Sequence, residues 1–269
     1  MGMEDKSLKE KLLGVQLKLD RAKQHIDEVE TVCQAFFATN PYKVRPYRDP
    51  ETRKMLYILE SFEEPPNSLA TIVGDVVQNL RAALDHLAFV LFETSPNFKP
   101  TKSFFPIAEN AAKYKSESLG KIKGFRQDVI DAMSAIEPYG GGRGELLWKL
   151  HSLSVTDKHK LLLPVIGQYR SFSLNALFKQ AWEQMGVPGG FPDNFPPLFA
   201  HVNSKFWPLE AGAVLFADTP DSEVNEHMQF RLHITLGEPG MFEGKPLVLV
   251  LEHLLKLVKG VSESLIPLI

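Results

Sequence analysis

Leu8, Leu12, Val15, Leu19, Ala22, Ile26, Val29 and Val32 recur every three or four residues. That is the spacing of one apolar stripe on a helix, and it predicts a helix over 4–38, ended by Asn40-Pro41. Tyr42 to Pro50 reads as a loop bearing proline and arginine. Residues 54–62, KMLYILESF, are aromatic and β-branched enough for a strand. Glu63-Glu64-Pro65-Pro66 breaks the chain before a second helix at about 68–94, capped by Asn67 or Ser68 and stopped by Pro96 and Pro100. Further helices are predicted at about 108–118, 122–136 and 143–156, the last after a flexible Gly140-Gly141-Gly142 break.

After Lys160 the texture changes. Leu161–Ile166 and Tyr169–Leu174 read as short strands, and Ala213–Ala217 with Met228–Leu236 as a strand pair around a turn-rich stretch. Residues 185–200, with Gly186, Gly189, Gly190 and four prolines nearby, read as a long mobile loop. A closing helix at about 245–265 carries Leu247, Leu251, Leu254, Leu255 and Val258 on one face. The expected fold is α+β and mainly helical: a helical body over 1–160 and a small antiparallel sheet with the closing helix over 161–269, packed as one unit.

Charge narrows the function. With 30 basic and 33 acidic side chains the chain carries a net charge of −3. As a whole it does not attract nucleic acid, so any such contact needs a local basic patch. Cys33 is the sole cysteine, which excludes an internal disulfide or a zinc knuckle and fits a reducing cytoplasm. The polar N-terminal residues lack the apolar core of a secretory signal, and no apolar run reaches the roughly 20 residues that span a bilayer. No cofactor motif is visible, and nothing points to DNA or to a membrane.

The second helix carries the chemistry. On a wheel of about 100° per residue with Asp75 at zero, Leu80, Leu84, Leu87 and Leu91 fall between about 120° and 180°. Asp75, Asn79 and His86 share one flank. Arg81 and Asp85 share the other at the four-residue spacing of an ion pair. In the plainest reading this is a core helix with two polar margins, held by an Arg81–Asp85 pair and a His86–Asp75 hydrogen bond.

The run Arg81-Ala82-Ala83-Leu84-Asp85-His86 resembles the signature of the HEPN superfamily, an Arg and a His four to six residues apart on one helix of a bundle. The resemblance implies a HEPN-like helical bundle, a homodimer, and metal-independent RNA cleavage in a bacterial defence or stress role. Arg81 would then clamp phosphate and His86 would act as the acid/base, with Asn79 and Asp85 beside them. Such nucleases commonly carry a polar residue directly after the Arg; here it is Ala82, and Asn79 is the candidate substitute. The chemistry suits the residue types, because an Arg fork binds two phosphate oxygens and a His near neutral pKa takes a hydroxyl proton. Gly74-Asp75, Asn79 to His86, Phe105-Pro106-Ile107 and Asp157-Lys158-His159 together resemble an uncharacterised bacterial protein family, which implies no activity.

His151, Asp157, Lys158 and His159 form a second cluster at a helix end. Asp157 and His159 either cap that end or fold against the His86 flank. In the latter case His86, Asp157 and His159 have the donor types of a metal site. Three readings therefore leave the sequence open: an RNase, a non-catalytic helical interaction or scaffold protein, and a metal site.

Overall fold

The computed structural model describes residues 3–93, 95, 99, 104–122, 124–162, 164–173, 199–202, 208–224 and 230–269. The fold is α+β and mainly helical, with antiparallel strand pairs throughout its sheets. Among the described residues no helix is long and apolar enough to cross a membrane. The chain divides into two compact units, each discontinuous: Met1–Val32, Asn67–Leu163 and Val248–Ile269 make one, Cys33–Pro66 and Pro164–Leu247 the other. The expected division at 160/161 lies near one of these boundaries. However, the strands before residue 66 belong with the later ones, and the closing helix belongs with the helical body.

α1 (Met3–Ala38), which lies in the helical unit as far as Val32, buries Val15, Leu19, Ala22, Ile26 and Val29, all 4% exposed or less. That is the predicted stripe. The helix ends at Asn40, whose φ of 54° is left-handed, a conformation asparagine tolerates. α2 (Ser68–Phe92) is the central helix: 16 of its 25 residues are buried, and a helix apolar nearly all round belongs inside. Asn67 stands at its start with helical backbone and no side-chain cap bond, so neither expected cap acts as one.

A helical run follows, α3, made of Ala111–Lys113, a π-helical turn Tyr114–Ser118 and Leu119–Lys121. Next come α4 (Gln127–Ile136) and α5 (Glu145–Asp157). The glycine break between them is packed rather than loose: a Cβ on Gly140 or Gly142 would lie 2.5 Å from a backbone carbonyl oxygen. α6 (Leu247–Leu265) closes the unit, burying Leu251, Leu254 and Val258.

The second unit holds two three-stranded antiparallel sheets. One has the order β1 (Tyr42–Arg48), β2 (Lys54–Phe62), β5 (Val214–Pro220); the other has β4 (Phe199–Val202), β3 (Pro164–Ser173), β6 (Phe230–Leu236). β2 has the expected bounds. β1 corrects the loop expected at Tyr42 to Pro50. It is an edge strand, wet along most of its length and carrying Pro46, so it lacks the alternation that marks a half-buried strand. The two strands expected between 161 and 174 are one continuous strand. β5 and β6 do not pair with each other: β5 pairs with β2 and β6 with β3. Tyr57 of β2 links the sheets, its ring 6.0 Å from Phe216 and 5.8 Å from Phe230. Of the Pro/Gly-rich stretch expected to be a mobile loop, 185–198 lies outside the described residues, and its last two positions begin β4.

Candidate functional site

Arg81 leaves α2 towards the segment 104–107 and α5, and each nitrogen of its guanidinium has a partner. Nη1 donates to Asp85 Oδ1 at 2.6 Å, Nη2 to the Phe105 carbonyl at 3.1 Å, and Nε to His151 Nδ1 at 3.3 Å. Asp85 Oδ1 also accepts the Phe105 N–H at 2.9 Å. The ion pair thus holds Phe105 by both its backbone groups, with the Phe105 side chain 1% exposed. The Arg81 side chain is 10% exposed and that of Asp85 28%.

Burial sets the electrostatics. It pulls the Arg81 guanidinium down from its ordinary value, and the Asp85 charge opposes it. It pushes the Asp85 carboxyl up, against the pull of Arg81, the Phe105 N–H and Lys158. A guanidinium starts so high that it stays charged at neutral pH. Burial also pulls His151 down to about 4, helped by the positive charges of Arg81, Lys158 and Lys121. His151 is therefore neutral at physiological pH. Arginine has no acceptor, so Nδ1 is the lone-pair nitrogen and the ring proton sits on Nε2.

His86 lies elsewhere. Five residues on from Arg81, it points about 140° round the helix. It is exposed, with Nδ1 above Gly14 of α1, where a Cβ would come within 2.7 Å of it. Asn79 belongs to the same seam: its Nδ2 donates to the Asp75 carbonyl at 2.8 Å, and its Oδ1 accepts from Lys18 Nζ at 3.3 Å. With Lys11–Glu93 at 2.8 Å, these contacts run α1 antiparallel to α2. The expected His86–Asp75 bond does not form. The two residues share a direction on the wheel, but eleven residues separate them by about 16 Å along the axis.

The second cluster does reach α2, away from His86. Asp157 Oδ2 accepts from Gln78 Nε2 at 2.9 Å. The same amide donates to the Ser154 carbonyl at 3.0 Å, and Ser154 Oγ donates back to Gln78 Oε1 at 3.0 Å. Asp157 sits directly on the α2 backbone at Gly74, where a Cβ would fall 2.3 Å from Oδ1. Its role is thus to join two helices rather than to cap its own. Lys158 and His159 are exposed past the helix end. Among the described residues no three His, Cys, Asp or Glu side chains gather to hold a metal ion, and His86 lies against Gly14 while Asp157 lies against Gly74. This removes the geometry that the metal reading required.

Gln78 and Ser154 were missed in the sequence. Gln78 falls near 300° on the wheel, beside Arg81 and Asp85, and Ser154 stands one turn after His151. Two polar rows, one on each helix, were the available signal. Comparison of the chain with protein-family models, with curated proteins and with solved structures gave no match.

Proposed function

We propose that the chain is a non-catalytic helical interaction protein in which Arg81, Asp85 and His151 lock α2, α5 and the 104–107 segment together. One observation carries this reading: the Arg81 side chain is 10% exposed, and Nε, Nη1 and Nη2 each give a hydrogen bond to a partner within the chain. A phosphate clamp needs those donors turned outward and free. Withdrawing them would leave Asp85 with an uncompensated charge in a largely buried place, which is costly.

The second reading is the metal-independent RNase, acting as a cytoplasmic homodimer on RNA. The exposure of His86 favours it, since an acid/base must reach its substrate. The test is incubation of the purified chain and its His86→Ala variant with structured and unstructured RNAs in the presence of a chelator. The interaction reading expects no cleavage by either protein. Cleavage by the wild type that the variant loses would replace it with the nuclease.

A further inference from the structure

The outer face of the β1–β2–β5 sheet carries basic and aromatic side chains. Residues directly opposite in an antiparallel pair share a face. The register sets Arg45 against Ile58 and Tyr47 against Leu56, and β5 sets Ala217 against Leu56 and Val214 against Ile58. Met55, Tyr57 and Leu59 of β2 point the other way and are 3% exposed or less. Leu56, Ile58 and Val214 are half-buried, so the outer face is partly apolar. Tyr47 stands on it at 41% exposure, with the Arg45 Cζ 5.5 Å from the centre of its ring.

We propose that this face binds a single-stranded nucleic acid, with Arg45 and Tyr47 stacking a base and Lys43 and Lys54 meeting the phosphates. Charge supports the choice. Lys43, Arg45 and Lys54 are exposed, and among the described residues none forms an ion pair. Glu60 is the one carboxylate in the outward row of β2. Asp49, in the turn near Lys54, is occupied by Thr52 Oγ1 and the Glu51 N–H. A chain of net charge −3 thus presents a locally positive strip beside an aromatic ring. Single strands reward that combination, because each unpaired base offers a face to an aromatic or guanidinium plane while the backbone offers charge. Pro46, in the middle of β1, interrupts the open edge and disfavours a peptide added as a further strand.

The inference names the partner of the interaction protein proposed above. It rests on a different unit, so its failure would leave the Arg81 account, which is read by melting, intact. The test is fluorescence anisotropy of a short labelled oligouridylate titrated with the full chain. Binding at about 50 mM salt is expected to weaken as salt rises, with a logarithmic slope smaller by about 0.7 for each of Lys43→Ala and Lys54→Ala. Tyr47→Ala and Arg45→Ala should each weaken binding by roughly tenfold, while Tyr47→Phe keeps wild-type affinity. Should Tyr47→Ala melt early, Arg45→Ala decides. No binding by the wild type, equal binding of a duplex of the same length, equal binding of an acidic peptide, or unchanged affinity in the folded variants would overturn the proposal.

Discussion

Arg81 of α2 donates from Nε to Nδ1 of His151 on α5, 3.3 Å away. This pairing, rather than Arg81 with His86, is the arginine–histidine relationship that the fold builds. It joins two helices through a neutral imidazole whose lone pair is already taken.

Stability should therefore depend on pH through His151. Its folded value of about 4 lies below the ordinary 6.5. Between those values the unfolded chain binds a proton that the folded chain refuses, so stability is lost as pH falls from about 6.5 towards 4. The ring is partly exposed, which reduces the loss to about 1–2 kcal/mol. Asp85, pushed up by burial, acts in the opposite sense, so the contribution of His151 is best isolated by difference. His151→Asn keeps an acceptor for Arg81 Nε and cannot titrate. Urea midpoints at neutral pH and near pH 4.5 should separate more for the wild type than for this variant; parallel shifts would contradict the assignment.

Gly74 and Asp157 make a steric prediction. A methyl group at Gly74 displaces the Asp157 carboxylate and breaks its bond to Gln78. Gly74→Ala should cost about 1–3 kcal/mol, despite alanine's better helix propensity. In an Asp157→Ala background the same change should be neutral or stabilising. Equal losses in both backgrounds, measured as a double-mutant cycle by denaturant unfolding, would refute the contact.

Gly14 and His86 make the opposite prediction. Here the obstacle is an exposed ring that can swing into water. Gly14→Ala should change stability by less than about 1 kcal/mol, and in a His86→Ala background it should stabilise by roughly 0.5–1 kcal/mol, the helix-propensity gain. A loss of several kcal/mol in calorimetry would mean that His86 is held as firmly as Arg81.

Much of this was legible in the residues. The stripe Val15–Leu19–Ala22–Ile26–Val29 named α1 and its buried face, because one helix in contact with one core writes its period locally. The four-residue spacing of Arg81 and Asp85 named their ion pair for the same reason. The rest depends on contacts between distant segments. Nothing near Val214 shows that β5 seeks β2 rather than β6. β1 hides because an edge strand in water need not alternate. The Asp75–His86 bond failed because the wheel records direction and discards height. Gln78, one polar residue among many, gains meaning only when Ser154 and Asp157 arrive from α5.

The central claim is that Arg81 is structural, and the melting temperature of Arg81→Ala tests it most directly. Removing the guanidinium leaves the Asp85 charge, the His151 lone pair and the Phe105 carbonyl without their partner. The account expects a cost of about 3–5 kcal/mol, of order 10 °C in Tm for a chain of this size, with His86→Ala melting like the wild type. An Arg81→Ala variant that melts within a degree or two of the wild type would contradict it.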